Sequence, residues 1–254
     1  MHQDYASQPF HTLVTLGDSI TAGGTVTRRE CCWVSLLANQ ISEAQGAPLA
    51  LVNSGRGGDV ISARSAGAFH SHNQGYPTAL ERFEKDVIDH RPDLVILAYG
   101  LNDVVCGTPL HIFLDDLETL TTAIHSRTGA LIVLLDCYFT NWVWPDQPDF
   151  LVYGRRGVAL AYNLAIKELA DRLGVLFADV WDAMGEAPWV VDRDGVHPNN
   201  LGHRLIAGRV FEVLARNCSI MARKADQDRD TFVQWRDESH FKEGFEAREG
   251  GSCG

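Results

Sequence analysis

The chain of 254 residues reads as an α/β protein, a three-layer α/β/α domain around a parallel five-stranded sheet. Three observations predict this class. Five short runs rich in Val, Leu and Ile are bounded by turn residues. Helical patterns alternate with them, and parallel strands require such crossovers. Runs such as Leu94-Val95-Ile96-Leu97-Ala98 are apolar at every position, which suits strands covered on both faces.

The strands are expected at 12–16, 49–53, 93–99, 130–136 and 175–180. A helix over 33–41 gathers Trp33, Leu36, Leu37 and Ile41 on one face. Another over 79–90 repeats Leu80, Phe83 and Val87 and stops before Arg91-Pro92, because proline disfavours helix in the residue before it. A third over 109–127 carries Phe113, Leu117, Leu120 and Ile124, with Gly129 as its stop. A fourth over 158–173 carries Leu164, Ile166, Leu169 and Leu173 and is stopped by Gly174. The domain is expected over residues 10–216, followed by a charged extension at 217–254, either a docked helix or a partly disordered tail.

Composition narrows the function classes. Hydrophobic residues make up 45% of the chain, enough for one full core. A formal charge of −11 argues against nucleic acid or an anionic membrane as main partner. Met1-His2-Gln3-Asp4-Tyr5 has neither a basic nor an apolar leader region, and no apolar run is long enough to span a bilayer, so a cytoplasmic protein is expected. Six cysteines without CxxC spacing suggest neither a disulfide framework nor a zinc site.

Chemistry-bearing residues concentrate where strands end. Gly17-Asp18-Ser19-Ile20-Thr21 follows the first strand, and ligands of open α/β sheets sit at the carboxyl ends of strands. The second strand leads into Asn53-Ser54-Gly55-Arg56-Gly57-Gly58-Asp59, which also reads as an ordinary tight turn; Val60 stands where a dinucleotide fingerprint needs its third glycine. The third ends in Gly100-Leu101-Asn102-Asp103, whose Asn102 amide can donate to an oxyanion. Later comes Asp192-Arg193-Asp194-Gly195-Val196-His197-Pro198. A turn at Asp194-Gly195 can bring the carboxylate to Nδ1 of His197 and leave Nε2 outward, the arrangement that activates a serine. On these seven residues alone, capping or turn formation accounts for Asp194 equally well. Gly250-Gly251-Ser252-Cys253-Gly254 matches G-x-S-x-G in letters only, since no strand precedes it and no helix follows.

In this order, after successive strands, the four blocks resemble those of the SGNH hydrolases, also called GDSL esterases and lipases, over about residues 10–216. The resemblance implies a flavodoxin-like sheet of order 2-1-3-4-5, Ser19 as nucleophile, His197 as base and Asp194 as its partner. It implies oxyanion donors at the backbone N–H groups of Ser19 and Gly58 and the side chain of Asn102. The chemistry expected is hydrolysis of a short-acyl or acetyl ester, with carbohydrate O-deacetylation as one form, and it requires no cofactor or metal. An acyltransferase using the same residues and a non-catalytic binding module are the competing readings. The long connection at 137–156, with Trp142, Trp144 and Tyr153, is the expected substrate-binding wall, for a small-molecule or carbohydrate ester.

Overall fold

The computed structural model describes residues 3–68, 75–141 and 156–232. Five parallel strands, β1 (Thr12–Gly17), β2 (Ala50–Gly55), β3 (Leu94–Ala98), β4 (Leu131–Leu135) and β5 (Leu176–Ala178), form one sheet in the order β2-β1-β3-β4-β5. This is the order that the family resemblance implies. β3 is buried at every position, as its unbroken apolar run requires. β2, at the edge, is exposed or half-buried throughout.

Helices cover both faces. In chain order they are α1 (Ser19–Ala22), α2 (Trp33–Gln45), α3 (Ala79–Asp86), α4 (Leu101–Cys106), α5 (Leu110–Thr128), α6 (Arg156–Leu173), α7 (Val180–Met184), α8 (Asn200–Asn217) and α9 (Arg223–Phe232). α2 packs on α8, while α3, α5 and α6 pack in sequence on one another. No helix of the described residues is long and apolar enough to cross a membrane.

Some boundaries differ from the sequence pattern, for physical reasons. The helix expected over 79–90 breaks at Val87, which leaves helical angles and drops fully into the core. A 3-10 turn, Ile88–His90, completes the span. Leu164, expected on the buried face of α6, is 59% exposed; the buried face is Ala159, Tyr162, Ile166, Leu169 and Ala170. α8 has no counterpart among the expected helices. Asn199 caps it by accepting from the Leu201 and Gly202 amides. α9, within the charged extension, packs against α2, where Lys224 and Gln227 approach Gly46. The aromatic connection holding Trp142, Trp144 and Tyr153 lies outside the described residues.

At the carboxyl edge the loops pack backbone to backbone. A methyl group on Gly55 would stand 2.1 Å from the Ala22 nitrogen and 2.5 Å from the Thr21 carbon, both main-chain atoms that cannot rotate away. Gly55→Ala must therefore push α1 from the end of β2. We expect it to lower stability by about 1–3 kcal/mol or more, measured by urea denaturation; an unchanged midpoint would show that α1 is free to move.

Candidate active site

Four segments place the candidate residues. β1 ends at Gly17, and Asp18 turns the chain into α1 by accepting from the Ile20 amide at 2.9 Å. Ser19 is thus the first residue of the helix, where a backbone N–H has no intrahelical acceptor. The loop after β2 lies alongside: the Arg56 amide donates to the Gly17 carbonyl at 2.9 Å, and the Asn53 side chain to the Thr21 carbonyl at 2.8 Å. Gly58 sits in that loop with φ of +70°. Asn102, in α4 after β3, donates from Nδ2 to the Asp59 carbonyl at 2.9 Å, so it meets the same loop one residue beyond Gly58.

The fourth segment is the hairpin-like stretch before α8. Asp192 and His197 bond through the backbone, and Asp194 folds back within the turn. Its Oδ1 accepts from the Val196 amide at 2.9 Å and the His197 amide at 3.0 Å, while Oδ2 lies 2.5 Å from Nδ1 of His197. Burial raises the Asp194 pKa, but the His197 ring and the two amides outweigh it and hold the group below its ordinary value. An ionised carboxylate can only accept, so Nδ1 carries the proton, and in the neutral ring Nε2 is the acceptor. Nε2 lies 2.8 Å from Ser19 Oγ, which donates to it. The structure thus joins Ser19, His197 and Asp194 in one hydrogen-bonded chain and brings Gly58 and Asn102 to a shared loop beside it.

Further residues hold this arrangement and escaped the sequence pattern. Gly24 backs onto His197: a methyl there would lie 3.0 Å from Cδ2 and 3.3 Å from Nε2. The Gly24 amide donates to the Ser19 carbonyl at 2.8 Å. Thr25, at a left-handed φ of 67°, donates to the Pro198 carbonyl at 2.9 Å, and Thr27 exchanges bonds with Asn200. The Ser19 segment and the His197 segment are stitched together by these contacts. Behind them His203 is fully buried and neutral; burial lowers its pKa to about 4, and Nδ1 accepts from the Trp33 amide. Among the described residues no group of three His, Cys, Asp or Glu side chains is placed to hold a metal ion.

Asp18 is the electrostatic cost of the turn. Burial raises its pKa from 3.8 to about 6, against the pull of the Ile20 amide. Below pH 4 the group is protonated folded or unfolded and contributes nothing. Between about 4 and 6 the folded chain keeps a proton that the unfolded chain releases, so stability falls as pH rises, and above 6 the penalty is complete. Asn in its place can still accept from Ile20 but carries no charge. We expect Asp18→Asn to gain stability relative to wild type between pH 4 and pH 8, by at most about 3 kcal/mol. Urea denaturation at both pH values measures it, and a difference independent of pH would show that Asp18 does not titrate in this window.

Known proteins share this frame. A protein named acetylxylan esterase from Geobacillus stearothermophilus is 27% identical over 137 residues, 50% of this chain and 61% of that protein. The chain therefore spans less than two thirds of that relative's length. An arylesterase from Vibrio mimicus is 27% identical over 214 residues, 84% of this chain and 92% of that one. Among solved structures, a lipase/acylhydrolase from Enterococcus faecalis superposes with a TM-score of 0.61 at 22% identity, covering 80% of this chain and 95% of that chain. A catalytic mutant of an acetylxylan esterase from Geobacillus stearothermophilus gives 0.60 at 20% identity, covering 84% and 96%. At these identities the superpositions speak for the fold. The GDSL-like lipase/acylhydrolase family matches residues 15–205, from within β1 to within α8, and the chain belongs to that family.

Proposed function

We propose that this chain is a serine esterase that cleaves a carboxylic ester through an acyl-enzyme on Ser19. The observation that carries the reading is the hydrogen-bonded chain from Ser19 Oγ through His197 to Asp194, set at the end of the first strand in a member of an acylhydrolase family. Ser19 Oγ attacks the ester carbon while Nε2 of His197 takes its proton. The Asp194 carboxylate steadies the resulting imidazolium through Nδ1. The carbonyl oxygen becomes an oxyanion, and its donors are the amides of Ser19 and Gly58 and Nδ2 of Asn102. As the tetrahedral intermediate collapses, the C–O bond to the alcohol breaks and His197 returns the proton to the leaving oxygen. Water then repeats the sequence on the acyl-enzyme, releasing the acid and free Ser19.

For the substrate we propose a short acyl group, acetyl foremost, on a carbohydrate or another small alcohol. The acetylxylan esterase and the arylesterase among its relatives support small acyl esters. Trp142, Trp144 and Tyr153 are the residues we propose to contact the alcohol part, by stacking on a sugar ring or packing on an aryl group.

An ester panel varying acyl length and alcohol, with Ser19→Ala beside it, tests the reading. We expect Ser19→Ala to lower kcat by on the order of 10⁴-fold or more and Asn102→Ala by about 100- to 1000-fold. Hydrolysis surviving in Ser19→Ala would end the acyl-enzyme assignment, and wild-type turnover in Asn102→Ala would remove that side chain from the oxyanion site. Preference for long acyl chains would overturn the substrate class.

A further inference from the structure

Arg82 lies on α3, outside every sequence block used above, yet its guanidinium is buried at 5% exposure under the candidate site. Its partners come from the ends of β1 and β2, the loop after β2, the residue just past β3 and α3 itself. Nη1 donates to the Ser54 carbonyl at the end of β2 at 2.9 Å and to Asp86 at 2.7 Å. Nη2 donates to the Gly17 carbonyl at the end of β1 at 3.3 Å and to the Tyr99 hydroxyl, just past β3, at 2.9 Å. Nε donates to Asp59 Oδ2 at 3.0 Å, and Nη2 reaches the same oxygen. Tyr99 donates to that oxygen as well, at 2.7 Å.

The Asp59 carboxylate is thus fixed by one cation and one phenol, while its own backbone carbonyl accepts from Asn102 Nδ2. Gly58 is the residue immediately before it. Position is also imposed from the other end, because a capping box between Thr78 and Glu81 fixes the first turn of α3, and the Ala79 and Leu80 amides bond the carbonyls of Val60 and Ile61. Stability alone is a poor reason for such a site. Burying an ion pair costs desolvation, and replacing one by apolar side chains is often neutral or stabilising. What a planar fork with five donors supplies is geometry.

The geometry points to Arg82 as a positioning residue for the oxyanion site: through Asp59 it sets the Gly58–Asp59 backbone and the Asn102 amide, and through Gly17 it sets the turn that presents Ser19. This rests on the reading of Gly58 and Asn102 as oxyanion donors. Arg82 touches no substrate, so its loss acts on turnover through those donors.

A double-mutant cycle separates the two claims. Arg82→Lys keeps the charge but cannot reach Ser54, Gly17 and Asp59 together; Arg82→Met removes the charge at similar length. Each is assayed on a phenyl acetate ester alone and combined with Asn102→Ala, with near-ultraviolet circular dichroism as the check on folding. We expect Arg82→Lys to lower kcat by about 10- to 100-fold with KM within about threefold, and to cost only about threefold more once Asn102 is Ala, because residues acting as a unit are not additive. Arg82→Met is expected to lose more. A wild-type kcat in Arg82→Lys overturns the proposal, and so does a loss that multiplies in full with that of Asn102→Ala, because no part of it then passes through the Asn102 amide. Wild-type kcat in Asn102→Ala alone overturns the oxyanion reading first, and the proposal with it.

Discussion

The register of β1 with its two neighbours is the constraint on which the rest depends. Gly17 is level with Gly55 of β2 on one side and with Ala98 of β3 on the other. Parallel strands in that register release three loops at one height, and β1 lies where the winding of the sheet reverses. The turn of Ser19, the loop of Gly58 and the helix of Asn102 therefore start side by side. The rest of the edge is packed to keep them there, which is why Gly55 stands against bare backbone.

Buried acids hold that edge together. Asp18, Asp103 and Asp136 each follow closely on a strand, β1, β3 and β4, and each is almost entirely buried. Each accepts from amides: Asp18 from Ile20, Asp103 from Ile61 and Asp136 from Val180 and Trp181. Burial raises the pKa of all three, to about 7 for Asp103. Arg82 instead meets a different pair of acids, Asp59 and Asp86. Burial works against its charge, but Tyr99, Asp59 and Asp86 outweigh burial and hold it protonated, while burial pushes Asp59 itself upward against the pull of Arg82. The fold thus accepts costly polar burial where exact loop placement matters, a pattern common around reactive sites.

The sheet was legible because its strands are short, wholly apolar and punctuated, and because helices of clear period separate them. α8 was not. Its buried face includes Gly202, His203 and Ala207 beside Ile206, Val210 and Leu214, so small and polar residues interrupt the apolar period. Ser19, Asn102, Asp194 and His197 stood out because each lies in a short block of turn residues after an apolar run, whereas Gly58 was singled out within its block only by the family resemblance. Arg82 and Gly24 carry no such mark. Arg82 sits among Glu81, Glu84, Lys85 and Asp86, where a solvated helix face is the ordinary reading, and only the packing of α3 on the strand ends turns it inward. The positioning role of Gly24 depends on a ring delivered from the far end of the domain.

That distance has a consequence for how the protein comes to be. The bond between Ser19 and His197 links residues 178 positions apart, and the threonines of the adjoining strap reach Pro198 and Asn200 across a similar span. Such long-range closure comes late, after the entropy of a long loop has been met. During synthesis the sheet's first strands and the serine turn emerge well before their histidine, so a nascent chain carries an unpartnered hydroxyl of ordinary reactivity. On the proposed mechanism, competence to react requires the segment leading into α8 to dock, and so it depends on completion of the domain as a whole.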